Sequence, residues 1–272
     1  MEAETLVDGL DHPEGVAYDP ASGAVYAGGE LGQVYRVDLE RRAWEQVGAA
    51  PGFVLGLAVD GRGRLALCVS EVRPSVCVWD GGEVRVVAED VVFPNYPAFA
   101  PDGTLYVSDS GRWGCGDGRV LRIAPDGARD ELHGLRDFPN GCAVSPDGRW
   151  LWLVQSYDPT VSRFDLATGE LEHVTRIDGT VPDGVAFTDD GGLLVSCYRP
   201  DRIYHLGRDG SLEVVADDFQ GTILGAPTNV CFVGERLDRV VSANLGRWHL
   251  TLLDVGLRGV PLHRPSTWAA DA

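Results

Sequence analysis

Short runs of apolar and β-branched residues recur along the whole chain. Examples are TLYVSDS, RVLRIAP, WLWLVQS and RIYHLGR, and Gly, Asp or Pro residues separate each run from the next. Runs of this length between turn residues predict β-strands. No window shows the sustained 3.6-residue periodicity of an amphipathic helix. The pattern therefore predicts an all-β protein.

Six related segments are spaced regularly along the sequence. Three of them align without gaps, one matches their first half, and two are weaker matches. They are FPNYPAFAPDG (93–103), FPNGCAVSPDG (138–148), VPDGVAFTDDG (181–191), HPEGVAYDP (12–20), VLGLAVDGRG (54–63) and APTNVCFVG (226–234). The repeat is 40–45 residues long and contains four strand-like runs, which is typical of a β-propeller blade. We predict one six-bladed propeller domain over residues 1–272, with four antiparallel strands per blade.

The two ends of the sequence predict how the propeller closes. TLVDGLDHPEG at the N-terminus has the pattern of a fourth strand followed by the start of a blade, and the last repeat lacks a convincing fourth strand. We expect residues 4–10 to supply the outer strand of the final blade, which removes an exposed sheet edge.

One position of the repeat carries candidate metal ligands. The first strand of each blade lines the central channel, so residues at the start of these strands form a ring at one rim. The ring consists of Glu14, Leu55, Asn95, Asn140, Asp183 and Thr228. Two carboxylates and two amides without Arg or Lys would repel and be costly to bury, and a divalent cation would resolve both problems.

The donor atoms of this ring favour Ca²⁺, because its side chains offer only oxygen. Mg²⁺ and Mn²⁺ remain open, and Zn²⁺ is a weaker match since the ring contains neither His nor Cys. A plain turn is the alternative interpretation of Asn140-Gly and Asp183-Gly. The joint pattern favours a metal site, because a separate tight turn follows seven residues later and Glu14 is a poor turn residue.

Charge narrows the range of partners. The chain has 41 acidic and 23 basic residues, all of the latter Arg, and a net charge of −18. Such a surface repels phosphate, which argues against nucleic acid and against an anionic membrane. No apolar run approaches the length of a membrane span and no signal pattern precedes the first repeat, so we expect a cytoplasmic protein. The six cysteines form no CxxC pair and are expected to be small buried residues.

The order and spacing of the motifs from HPEGVAYDP to APTNVCF resemble the SMP-30/gluconolactonase/LRE-like family, which includes senescence marker protein 30 and bacterial gluconolactonases. The resemblance covers nearly the whole chain and implies a six-bladed propeller with one divalent ion. It also implies Glu14, Asn140 and Asp183 as direct ligands, with Asp183 as general base. Asn95 corresponds to an asparagine near the metal water and the substrate.

Two positions depart from the family pattern. Members often have Asn-Asp where this chain has Asn95-Tyr96, and sugar-lactone enzymes carry an Arg where this chain has Phe93. An aromatic surface thus replaces a charged hydrogen-bonding group. This favours a substrate less polar than a sugar lactone.

The expected chemistry is hydrolysis of a lactone or small ester. A bound cation polarises the carbonyl, and an ionised Asp183 on the rim removes a proton from water. Residues that follow the second strands are candidate substrate contacts, and the glycine-rich segment 109–119 is a candidate lid that carries Trp113. The strand-end candidates are Asp109, Gln155, Tyr157, Tyr198 and Asn244.

Other functions remain open at this stage. The same ion could serve an isomerase, lyase or cyclase, and a non-catalytic propeller could use calcium structurally. His12 and His249 are weaker acid–base candidates, and no His-based metal motif or Gly-x-Ser-x-Gly nucleophile motif is present. The sequence does not set the oligomeric state or the physiological substrate.

Overall fold

The computed structural model describes residues 2–272 as twenty-four strands in six four-stranded antiparallel sheets, which are the blades of a six-bladed propeller. The one helix in this range is a 3₁₀ turn at Ala269–Asp271. The predicted fold class is confirmed. Within each blade the first strand is innermost and the fourth is outermost.

The strands of the first three blades are as follows. Blade 1 contains β2 (Val16–Asp19), β3 (Ala24–Gly28), β4 (Gln33–Asp38) and β5 (Ala43–Ala49). Blade 2 contains β6 (Phe53–Val59), β7 (Leu65–Ser70), β8 (Ser75–Trp79) and β9 (Val84–Ala88). Blade 3 contains β10 (Pro94–Phe99), β11 (Leu105–Asp109), β12 (Arg119–Ile123) and β13 (Arg129–Leu132).

The remaining blades follow the same plan. Blade 4 contains β14 (Pro139–Val144), β15 (Trp150–Gln155), β16 (Thr160–Asp165) and β17 (Leu171–Arg176). Blade 5 contains β18 (Val181–Phe187), β19 (Leu193–Arg199), β20 (Arg202–Leu206) and β21 (Leu212–Asp217). Blade 6 contains β22 (Pro227–Val233), β23 (Arg239–Asn244), β24 (His249–Asp254) and β1 (Glu2–Asp8).

The N-terminal strand closes the propeller as predicted. β1 pairs antiparallel with β24, with Glu2 opposite Asp254 and Asp8 opposite His249. The indole of Trp44 donates a hydrogen bond to the carbonyl of Asp8 at 2.8 Å, which joins blade 1 to this strand. Apolar side chains of neighbouring blades then pack into shared cores, such as Leu6 and Leu250 of blade 6 against Val16 of blade 1.

The inner strands are irregular at the level of the ring. In β6, β10, β14, β18 and β22, the pairing register with the second strand shifts at the ring residue. A β-bulge of this kind leaves a residue outside the ladder and changes the direction of its side chain. In blade 1, Glu14 lies just before the start of β2. The bulges therefore free the ring side chains from the regular alternation of a strand.

Glycines next to the ring allow the inner strands to approach each other closely. A Cβ atom on Gly15, Gly141 or Gly184 would lie 2.2, 2.4 or 2.6 Å from the carbonyl oxygen of the ring residue in the next blade. No side chain fits there. The backbones of neighbouring blades are thus in direct contact around the ring.

The C-terminal segment was not predicted from the strand pattern. Residues 255–268, which we call the strap, leave β24 and run along the turns between first and second strands, at the channel end opposite the ring. The strap ends at Trp268, which is fully buried between blades 2 and 3 and donates from its indole to Asp60 Oδ2 at 2.9 Å. Asp271 then accepts a hydrogen bond from Arg64 Nη1 at 2.7 Å.

Five of the six cysteines are buried, as expected, and among residues 2–272 none forms a disulfide. The expectation is wrong for Cys115, which is exposed. This residue lies in the long loop between β11 and β12 rather than in a strand, so no neighbouring sheet covers it.

Candidate active site at the channel mouth

The four polar ring residues named from the sequence are all buried at one end of the channel. The exposed fractions are 3% for Glu14, 2% for Asn95, 3% for Asn140 and 6% for Asp183. Each lies at the start of an inner strand of a different blade. Four polar side chains thus share one small region that water barely reaches.

Several oxygen atoms of this region have no hydrogen-bond donor among the described residues. They are the Oδ1 atoms of Asn95, Asn140, Asp183 and Asn229, all inaccessible to solvent. A buried acceptor without a partner costs about 1–3 kcal/mol, and native proteins contain few of them. Four such oxygens at one level of the channel fit a hard divalent cation, which takes oxygen ligands from carboxylates and amides.

The two carboxyl groups are destabilised in their charged form. Burial raises the pKa of Glu14 to about 8, and the Asn229 amide opposes the rise. Burial and the nearby Glu14 charge together raise the pKa of Asp183 well above its usual value, while Asn140 acts in the opposite direction. Neither carboxylate forms an ion pair with an Arg or His within residues 2–272. A cation would favour ionisation of both groups.

Asn140 is held by a hydrogen-bond chain to the next blade. Its Nδ2 donates to Ser156 Oγ at 3.0 Å, and Ser156 Oγ donates to the carbonyl oxygen of Pro182 at 2.6 Å. The amide nitrogen is thereby engaged, which leaves Oδ1 as the free acceptor. Ser156 thus sets which end of the Asn140 amide is available for a ligand.

Glu14 is held from blade 6. Thr228 Oγ1 donates to the Glu14 carbonyl oxygen at 2.6 Å. Asn229 Nδ2 lies 3.3 Å from the same oxygen and 3.4 Å from Glu14 Oε2. The contacts that close the propeller therefore also position one of its two ring carboxylates.

Strained backbone precedes three of the ring residues. His12, Phe138 and Ala226 have φ values of 41°, 50° and 53°, and each lies two positions before a ring residue. The left-handed region is unfavourable for such side chains and persists only where surrounding contacts enforce it. The same turn thus carries the chain into the inner strand in three blades.

Aromatic side chains from blades 3 and 4 meet next to the ring. The ring centroids of Trp113 and Phe138 are 4.8 Å apart, those of Trp113 and Tyr157 are 5.3 Å apart, and those of Phe93 and Phe138 are 5.7 Å apart. Trp113 is 53% exposed and Tyr157 is 52% exposed. We call these four residues the aromatic wall. Tyr198 lies outside this group and stacks with Arg199 at 4.8 Å.

Three other predicted contact residues have their polar atoms engaged by the protein. Asp109 accepts from the Phe93 amide at 2.7 Å, and Gln155 accepts from the Asp137 amide at 3.1 Å. Asn244 Oδ1 accepts from the Gly225 amide, in the loop before β22, at 3.1 Å. All three side chains are fully or almost fully buried. They fasten the loops that lead into the inner strands.

The sequence profile described as the SMP-30/Gluconolactonase/LRE-like region matches residues 12–243. The chain belongs to this family.

Solved structures support the fold. A calcium-binding protein, regucalcin, from Agrobacterium tumefaciens is 20% identical, with 97% of each chain covered and a TM-score of 0.80. A gluconolactonase from Xanthomonas campestris is 23% identical, covers 94% of this chain and 89% of its own, and has a TM-score of 0.79. A luciferin-regenerating enzyme is 16% identical over 97% and 99% of the two chains, with a TM-score of 0.79. No curated protein sequence matches significantly.

Three residues of the candidate site were not predicted from the sequence. Phe138 could have been found, because FPN occurs at 93–95 and again at 138–140. Asn229 adjoins the weakest repeat, where Thr228 holds the ring position. Ser156 lies between two predicted contacts, and its role depends on the carbonyl of another blade, which no local pattern reveals.

The two histidines considered as acid–base candidates contact described residues other than the ring carboxylates. His249 is buried and bonds through Nε2 to the Ile223 carbonyl at 3.0 Å. His12 Nδ1 lies 2.9 Å from Glu30 Oε2 and 3.2 Å from Asp11 Oδ1. Asp11, His12 and Glu30 lie close enough together to hold a metal ion. Asp11, however, already accepts hydrogen bonds from the Leu31 amide and the Gln33 side chain.

Within residues 2–272, no helix has the length and apolar character needed to cross a membrane.

Proposed function

We propose that this chain is a metal-dependent hydrolase that opens a lactone or a related small ester. The observation that carries the proposal is the buried pair Glu14 and Asp183, surrounded by acceptor oxygens without donors. A site of this kind attracts one divalent cation and leaves room for chemistry at a carbonyl. The family membership and the gluconolactonase neighbour support the same reaction class.

We assign Glu14, Asn140 and Asp183 as the ligands of the ion, with Ca²⁺ as the first choice because all donors are oxygen. Asn95 completes the polar ring and is assigned to the substrate or to a bound water. Ser156 and Asn229 are positioning residues, since they hold Asn140 and Glu14 through hydrogen bonds.

Each step of hydrolysis is assigned to particular residues of the chain. When bound, the ion supplies Lewis acidity toward the carbonyl oxygen of the substrate. The Asp183 carboxylate, which a bound ion would keep ionised, would take a proton from the attacking water. The Asn95 amide orients the substrate by hydrogen bonding. The buried position of the ring limits access of bulk water and strengthens these interactions.

The aromatic wall favours a substrate with an apolar or aromatic substituent. Phe93, Trp113, Phe138 and Tyr157 lie together where a polyol would need charged hydrogen-bonding groups. Tyr198 is assigned to the outer part of the pocket. Asp109, Gln155 and Asn244 support the pocket indirectly, by holding the loops before the inner strands.

A non-catalytic calcium-binding propeller is the second candidate. The observation that favours it is the similarity to a solved protein described as calcium-binding. In that case the same ring would bind the ion as a stabilising group only. Turnover separates the two candidates, because both expect one ion per chain.

The test combines metal content with turnover. Protein purified without chelator should contain about one divalent ion per chain, and hydrolysis of an aryl-ester and lactone panel should stop with EDTA and return with Ca²⁺. Asp183→Asn should remove most of the turnover, whereas Asp189→Asn, at an exposed position of the same blade, should not. No turnover with a bound ion favours the binding propeller, product without incorporated water indicates an isomerase or lyase, and no bound ion refutes the site.

A further inference from the structure

A second cavity occupies the channel end opposite the ring. Its volume is about 540 Å³, within the range of small-molecule sites. All six inner strands contribute to its wall, and the strap lies across its open end. None of the polar ring residues lines it.

The wall of this chamber is mainly apolar. The side chains that form it include Val59, Phe99, Val144, Phe187 and Phe232, one from each of five blades. An apolar chamber holds water poorly, because a buried water needs two to four polar partners. Such a space is suited to an apolar ligand.

Two polar side chains of the strap already have partners. His263 Nε2 bonds to the Ser145 carbonyl at 2.8 Å, and the Arg264 guanidinium forms an ion pair with Asp19. Glu235 is the further charged residue of the lining, and it is exposed. A charged ligand inside the chamber would therefore lose its hydration, and the exposed Glu235 would be the one unpaired charge among the described residues of the lining to compensate, which makes burial costly.

The strap forms a roof that is fixed on both sides of the opening. On one side Gly259 N donates to the Leu237 carbonyl at 2.8 Å, and on the other Gly61 N donates to the Pro265 carbonyl at 2.9 Å. Between these anchors lie Pro261 and Leu262, and Leu262 is 52% exposed although its residue type is apolar. The middle of the strap is thus the part of the roof that an entering molecule would displace.

From this arrangement we infer that the chamber under the strap is a second small-molecule site, which takes an uncharged, mainly apolar molecule. This site is distinct from the ring, because none of the four polar ring residues lines the chamber.

The experiment titrates the intact protein with N-phenyl-1-naphthylamine, an uncharged fluorescent probe. We expect saturable binding of about one probe per chain, unchanged by EDTA, and a rise in melting temperature with probe concentration. Ala58→Phe fills the chamber and should raise the dissociation constant of the probe at least about tenfold, equivalent to about 1.4 kcal/mol. Ala43→Phe, on an exposed outer strand, is the matched control and should leave binding unchanged.

Leu262→Asp tests the roof without disturbing the core, since this side chain is half exposed. It places a carboxylate at the opening and should also weaken probe binding. Non-saturable binding, binding unaffected by both Ala58→Phe and Leu262→Asp, or binding abolished by EDTA would overturn the inference. The last outcome would locate the probe at the ring instead. Loss of hydrolytic activity in Asp183→Asn tests only the proposed function and leaves the inference about the chamber unaffected.

Discussion

At the scale of single residues, the site depends on side chains that fix the ends of other side chains. Asn140 presents Oδ1 because Ser156 engages its amide nitrogen. Ser156→Ala should weaken calcium affinity about tenfold or more, as is usual when a partner of a metal ligand is removed. Isothermal titration of the metal-free protein measures this. Ser211→Ala, at an exposed turn, is the control, and equal affinity in both variants would contradict the role of Ser156.

Asn229 offers a test of the electrostatics of the ring. Asn229→Asp adds a third carboxylate next to Glu14 and close to blade 5, where a Cβ on Gly184 would lie 2.7 Å from Asn229 Oδ1. Without metal, like charges repel and the melting temperature should fall. With calcium it should recover, so the shift on adding calcium should be larger than in the unmodified protein. Thermal unfolding with EDTA and with calcium gives both values, and an unchanged or smaller shift would count against a cation at this site.

The ring carboxylates and amides could be predicted because their residue types recur at one phase of the repeat. The partners could not. Whether Asn140 or Asn229 leaves an oxygen free depends on which distant group accepts from its amide nitrogen, and Thr228 occupies the expected position while Asn229 contacts Glu14. Sequence spacing gives the position of a residue on a strand, but a bulge decides where its side chain points.

At the scale of elements, the contact between inner strands is the feature most sensitive to substitution. Gly141→Ala places a Cβ 2.4 Å from the Asp183 carbonyl oxygen, so blades 4 and 5 must move apart. We expect a loss of about 1–3 kcal/mol in unfolding free energy and weaker calcium binding. Urea unfolding measures the first and titration the second. Gly82→Ala, where the nearest atom is 4.0 Å away, should be neutral, and similar stability of the two variants would contradict the packing argument.

The aromatic wall is formed by four loops of blades 3 and 4, and its effect should appear in substrate selection. Trp113→Ala removes the central ring, which contacts both Phe138 and Tyr157. The KM for aryl esters should rise several-fold, since an aromatic pair contributes about 0.5–1.5 kcal/mol beyond its buried area. The kcat/KM for a small aliphatic lactone should change little. A uniform loss for both substrates would indicate that the loop acts on the ring rather than on the substrate.

The strand pattern predicted the blades and the closing strand, but not the strap. Strands can be predicted from short apolar runs bounded by turn residues, as in WLWLVQS of β15. The strap has turn residues but no strand-length apolar run, and it is fixed by contacts that are remote in sequence, such as Trp268 with Asp60 and His263 with Ser145. Local sequence carries no information about such partners.

At the scale of the whole molecule, the strap and the C-terminal turn connect blades that are distant along the chain. Arg64 holds the pKa of Asp271 at about 2, below its usual value, through hydrogen bonds and charge. A lowered carboxylate pKa stabilises the fold above the unfolded-state pKa near 3.8, and the effect disappears as pH falls through about 2. Because Asp271 is partly exposed, we expect no more than about 1 kcal/mol.

Asp271→Asn should therefore lower the unfolding free energy at pH 7 by up to about 1 kcal/mol, and the difference from the unmodified protein should shrink toward pH 2. Urea unfolding across this pH range provides the measurement. Asp189→Asn, at an exposed position, serves as the comparison and should leave the unfolding free energy unchanged across this range. A difference that grows on acidification would contradict the ion pair.

The contacts that close blade 6 also set the order in which the protein can mature. Glu14 is synthesised well before Thr228 and Asn229, which hold it from more than 200 positions later in the chain. A ribosome-bound chain that ends before blade 6 therefore lacks the residues that hold Glu14, and its ring is incomplete. The proposed ion site is thus completed late, when blade 6 closes the circle.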